Sequence, residues 1–83
     1  MKPRPDLATE TADGEFIILD KAAGKVHQLN LSASFVWHCI TDGLETDEIA
    51  LQLSEAFGIE RETALVDVQA AVAQFEALAL FDE

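Results

Sequence analysis

The sequence predicts an α+β domain of winged-helix-turn-helix type, three N-terminal β-strands followed by three α-helices. Three observations lead there. Between residues 7 and 29 the apolar residues come in short strand-like runs, broken by turn signals at Asp13-Gly14 and at Asp20 to Gly24; from Asn30 onward they recur at helical spacing. The second and third helical segments are separated only by Gly58-Ile59-Glu60, the short turn of a helix-turn-helix. No linker, repeat or low-complexity segment divides residues 1–83, so they read as a single domain.

Each element has its own signal. Residues 1–6 hold both prolines and read as a flexible arm. Residues 7–12 alternate Leu7, Thr9 and Thr11 against Ala8, Glu10 and Ala12, as a short edge strand does. Phe16-Ile17-Ile18-Leu19 is apolar on both strand faces and belongs in the centre of a sheet. Lys25 to Leu29 completes a hairpin with it, with Val26 and Leu29 on opposite faces.

The helices follow. Asn30 or Ser32 caps the first, which turns Ala33, Val36, Trp37 and Ile40 to one side and ends at Asp42-Gly43. Thr46 caps the second, with Asp47 and Glu48 at its positive end, a buried side of Ile49, Ala50, Leu53 and Phe57, and a stop at Gly58. The third runs from about Arg61 to Leu78 with an apolar stripe of Leu65, Val68, Val72 and Phe75. Leu80 and Phe81 then fold back to close the core.

Charge removes several function classes. Sixteen acidic residues against five basic ones give a net charge of −11, and all but one unit of it falls in residues 42–83, where Arg61 is the single basic residue. Such a polyanion is a poor ligand for nucleic acid or an anionic membrane, because phosphate neutralisation dominates those affinities. A DNA-recognition helix opening Glu60-Arg61-Glu62 and continuing through Asp67 and Glu76 repels phosphate. An acyl carrier needs a serine between Asp and Leu at a helix start, and Ser32, Ser34 and Ser54 all lack that setting. The longest apolar runs, Phe16 to Leu19 and Ala77 to Phe81, are far too short to span a membrane. One cysteine, Cys39, cannot form an internal disulfide, and the basic N-terminus lacks an apolar segment behind it, so the chain reads as cytoplasmic.

No catalytic constellation emerges. His38 and Cys39 are neighbours on a helix and point about 100° apart, and His27 adds no spacing that suits zinc. No pair of carboxylates stands out as a general acid and base. The expectation is a protein without enzymatic activity, metal or cofactor, which acts by binding. The third strand, Lys25, Val26, His27, Gln28 and Leu29, is short and placed to be a sheet edge, and an open edge is a template for another strand.

Several segments also resemble a known family. Gly14 to Asp20, followed by Gly24-Lys25-Val26-His27-Gln28-Leu29-Asn30, is similar to its strand, turn and strand ending in Leu-Asn. Ala33 to Trp37 continues the likeness, as does Asp42-Gly43-Leu44-Glu45-Thr46-Asp47-Glu48-Ile49-Ala50. Asp67-Val68, with Val72, Phe75 and Leu80 behind it, resembles its third helix. The family is that of PqqD-like peptide chaperones, the RiPP recognition elements of ribosomally made, post-translationally modified peptides, and the likeness covers about residues 14–81.

The resemblance implies three strands and three helices, and binding of a precursor peptide's leader as a strand added to the third strand, in a groove against the third helix. It implies a partner enzyme that modifies the peptide, a radical SAM protein or a leader peptidase. Gly24 to Asn30 also resembles the lasso-peptide branch, so both PQQ-type and lasso pathways stay open, as does the oligomeric state. Ala79 stands where the family usually has a glycine.

On the third helix, the row Ala64, Asp67, Ala71, Gln74 and Leu78 lies beside the apolar stripe and is the expected groove wall. Its alanines leave room for peptide side chains, and Asp67 and Gln74 can hydrogen-bond them. The same residues suit a bracing role, with Asp67 holding the fold and the alanines tightening helix packing. A structural or oligomerising module and a winged-helix DNA-binding regulator are the competing functions.

Overall fold

In the computed structural model, which describes residues 1–82, Asp13 and Gly14 both take left-handed backbone, at φ 54° and 81°. Positive φ at both central residues is the type I′ geometry whose twist matches paired strands. The turn therefore joins β1 (Ala8–Ala12) to β2 (Glu15–Asp20), with Ala12 opposite Glu15. A longer turn leads to β3 (Lys25–Gln28), where Asp20 accepts the Ala23 N–H at 3.2 Å. The sheet is antiparallel in the order β1-β2-β3, so the apolar β2 is central and β3 is an edge.

Asn30, rather than Ser32, caps α1 (Leu31–Thr41), its Oδ1 accepting the Ala33 N–H at 2.8 Å. Gly43 ends the helix at φ 86°, and the Gly43 and Leu44 N–H groups close onto the carbonyls of Ile40 and Cys39. The cap of α2 (Thr46–Phe57) is Glu45, one residue earlier than expected; Glu48 accepts the Glu45 N–H at 3.1 Å. A longer acidic side chain serves where the shorter Thr46 was expected. α3 (Arg61–Ala77) completes the set.

The core gathers Ile18 and Leu29 from the sheet region, Trp37 and Ile40, Ile49 and Leu53, and Phe75 with Leu80. Trp37 packs edge-on to Phe75 at 5.0 Å between ring centres. Two expectations are corrected. The buried stripe of α3 is Ala64, Val68, Ala71 and Phe75, with Leu65 and Val72 only half-buried. Both rows satisfy helical periodicity; the one with alanines faces inward because small residues let α3 approach its neighbours closely. Phe57 is 43% exposed instead of buried, since it lies at the very end of α2, where it meets Phe35 edge-on at 5.6 Å.

Residues 1–6 are also placed differently from the flexible arm expected. Pro3 bridges to Phe81, the Arg4 N–H bonds the Leu80 carbonyl at 2.9 Å, and the Asp82 N–H bonds the Lys2 carbonyl at 2.7 Å. The Arg4 guanidinium grips both oxygens of Asp20 at 3.0 Å, reaches Asp6 at 2.7 Å, and donates to the Ala79 carbonyl at 3.0 Å. Backbone pairing and this fork hold a segment whose prolines alone read as loose.

Asp20 is 2% exposed, and the Arg4 hydrogen bonds hold its carboxyl below the ordinary value of 3.8. A carboxylate with a lowered folded value stabilises the fold above its unfolded value and loses that contribution as pH falls through the folded one. Thermal unfolding temperature should therefore hold down to about pH 4 and drop below it. Asp20→Asn should start lower and show a shallower acid-side drop, measured by circular dichroism across that range.

Ala79 sits at φ 59°, in the position that follows the C-cap of α3. The Ala79 and Leu80 N–H groups bond the carbonyls of Glu76 and Phe75, the closure that Gly43 makes on α1. A Cβ in left-handed backbone costs about 1–2 kcal/mol, partly offset by the greater unfolded-chain freedom of glycine. Ala79→Gly should thus raise stability by about 0.5–1 kcal/mol in denaturant titration.

Candidate functional site

The open edge of β3 can be read from its pairing. Ile18 stands opposite His27, and just beyond the paired residues the Leu29 N–H donates to the Phe16 carbonyl at 2.8 Å. Antiparallel strands alternate, so the backbone of Lys25, His27 and Leu29 turns toward β2. The N–H and C=O groups of Val26 and Gln28 face outward. Leu29 is corrected by this geometry: its N–H is used within the sheet, its carbonyl accepts from Ser34 Oγ at 3.3 Å, and its side chain is 2% exposed.

The side chains follow the same alternation. Val26, 66% exposed, and Gln28 point to the open side of the sheet, where Gln28 reaches Glu15 at 3.4 Å. Lys25 is exposed. His27 is half-buried, lies opposite the fully buried Ile18, and has its Nε2 buried without a hydrogen-bond partner.

α3 is linked to the surroundings of β3 at two points. At one end of β3, Asp20, opposite Lys25, is tied through Arg4 to Ala79 at the end of α3. At the other end, Asn30 shares a cavity with Asp67, Ala71 and Gln74. The helix therefore runs antiparallel to β3. The cavity holds about 240 Å³, with Ser32, Val36 and Leu53 among its lining.

Of the five expected wall residues, Asp67, Ala71 and Gln74 line the cavity, and Leu78 is half-buried further along the helix. Ala64 is a correction: it is 0% exposed and belongs wholly to the core. The contribution of α1 through Asn30 and Ser32 was not anticipated. Its one signal in the sequence is that Asn30 directly follows the third strand, so the first turn of the helix must lie at that strand's end.

A larger hollow of about 410 Å³ lies between Phe16, Leu31, Phe35 and Phe57. It uses the opposite side of α1 and adjoins the β1–β2 turn, so it does not continue the open edge of β3. The histidine and cysteine of α1 diverge. His38 is exposed, with Nε2 3.4 Å from Asp42, whereas Cys39 is buried. Burial and the nearby Asp42 push the Cys39 thiol up, which keeps it protonated and a weak nucleophile. Among the described residues, no group of three or more His, Cys, Asp or Glu is positioned to hold a metal ion. Among the same residues, no helix is long and apolar enough to cross a membrane.

Comparison with known proteins is consistent with this geometry. The family model described as coenzyme PQQ synthesis protein D (PqqD) matches residues 15–80. Among solved structures, "TbiB1 in Complex with the TbiA(beta) Leader Peptide" is similar at TM-score 0.90 and 20% identity, over 99% of this chain and 95% of that one. "Lasso peptide synthetase B1 complexed with the leader peptide" is similar at TM-score 0.83 and 26% identity, over 92% and 89%. The search of curated proteins finds no match. With four-fifths of its length inside one family model and its three strands and three helices arranged as in these structures, the chain belongs to the PqqD family.

Proposed function

We propose that this protein binds the leader segment of a ribosomally made precursor peptide by strand addition to β3 and presents it to a peptide-modifying enzyme. The observation that carries this reading is the open backbone of Val26 and Gln28, in a strand that leads through Leu29 to Asn30 at a cavity lined by α3. Backbone hydrogen bonds supply affinity in such recognition and side-chain pockets supply choice. Two similar structures are complexes with a leader peptide, which supports a leader as the ligand here. Lys25, Val26, His27 and Gln28 form the strand side of the groove, and Asp67, Ala71, Gln74 and Leu78 form the helix side.

The protein binds and does not convert its peptide. The protonated, buried Cys39 and the solvent-facing His38 support that. A cytoplasmic setting suits a lone free thiol. DNA binding is disfavoured by the acidic start of α3 and the net charge of −11.

Calorimetric titration with a synthetic leader peptide, taken from any short reading frame found beside the gene, tests the proposal. Saturable binding with one peptide per chain is expected, and absence of heat and of any chemical-shift change in the β3 amides rules it out. His38→Ala and Cys39→Ser should leave modification of the bound peptide by its enzyme within a few-fold.

A further inference from the structure

The cavity between α1 and α3 has a chemistry of its own. Its floor includes Val36, Leu53 and Ala71, all buried, which suits an aliphatic stem. Its polar side chains carry acceptors and donors, and the Asn30 amide offers its N–H₂ because its Oδ1 already accepts twice. Ser32 Oγ donates to Asn30 Oδ1 at 3.1 Å, so its proton is committed and its lone pairs remain. Asp67 makes no ion pair among the described residues. Gln74 supplies an amide oxygen as well as an N–H₂ group.

No lysine or arginine lines the cavity. Arg61, the single basic residue of the C-terminal half, lies in a different hollow with Asp47 and Glu62. The opposing influence is the positive end of α1, and Asn30 blunts it by accepting the Ala33 N–H at 2.8 Å. The balance of fixed charge around the cavity is negative.

On the reading that β3 and α3 bind a peptide, we propose that this cavity selects one basic side chain of it, lysine or arginine. The stem lies on Val36, Leu53 and Ala71, and the cationic tip meets Asp67 and Ser32. Long basic side chains divide in this way, with the methylenes on apolar surface and the charge on an acceptor.

The test is panning of a phage-displayed random dodecapeptide library against the full chain, with affinities of the selected peptides measured as synthetic copies. Lysine or arginine should be enriched at one fixed position. Asp67→Asn should weaken such peptides about tenfold, as expected for a lost hydrogen bond to a charged group. Asp67→Lys should turn the selection at that position toward Asp and Glu. Asp67 is exposed, so neither variant disturbs the core.

Enrichment of acidic residues on the parent, or of no basic residue at a fixed position, overturns the inference. So do selected peptides indifferent to Asp67→Asn. If those peptides still depend on the open edge, weakening with Val26→Pro, only the cavity assignment fails. If they ignore both variants, or if no binder emerges, the peptide-binding reading fails with it.

Discussion

Val26→Pro and Gln28→Pro should each abolish leader binding while the domain stays folded. Both N–H groups face away from β2, so proline removes no bond of the existing sheet. It removes a donor from the added strand, and its ring occupies the space where that strand must approach. Losing one backbone hydrogen bond alone costs about 0.5–1.5 kcal/mol, up to about tenfold in affinity, and the steric block adds to that. The control is His27→Pro, whose N–H turns toward Ile18 on β2; it should destabilise the fold itself. Lys25→Ala and Gln28→Ala should be mild, because they leave the backbone intact. Calorimetry with the leader reads affinity, and circular dichroism reads folding. Two folded proline variants that bind like the parent would show that peptide does not use this edge.

Ala71→Trp and Ala64→Trp should part company, although the residues are seven apart on the same helix. Ala71 is 9% exposed and lines the cavity of about 240 Å³, so an indole there has space to enter. Leader affinity should fall by at least about tenfold, as a blocked pocket forfeits the contacts of a buried peptide side chain. Ala64 is 0% exposed and does not line that cavity. Its replacement overpacks the core and should cost about 1–3 kcal/mol or more of stability. Denaturant midpoints and leader affinities for the two variants give four numbers. Equal destabilisation by both would place Ala71 in the core alone, and unchanged affinity in a folded Ala71→Trp would move the groove elsewhere.

These variants also mark what was legible before the structure. The alternation that separates Val26 from Leu29 follows from strand geometry, so the third strand and its two faces could be read directly. Which of its backbone groups remain free could not, because that depends on the register with β2 and on whether another strand lies outside. On α3, helical spacing allows Leu65, Val68, Val72 and Phe75 as readily as Ala64, Val68, Ala71 and Phe75. Apolar size favoured the first row, and the closeness of helix packing chose the second. Ala64 was thereby assigned to the groove and found in the core.

The sequence by itself determined the order of three strands and three helices, the turns at Asp13-Gly14 and Gly43, and the acidic C-terminal half. Those features depend on neighbours within a few residues, where propensity, periodicity and charge act locally. Only the tertiary structure decided the rest. It brought Asn30 and Ser32 to one cavity with Asp67, Ala71 and Gln74, and it docked residues 2–4 on residues 80–82 through Arg4 and Asp20. Partners so far apart in the chain leave no periodic trace in it. Their meeting depends on how the helices cross and on where the sheet ends, which packing sets.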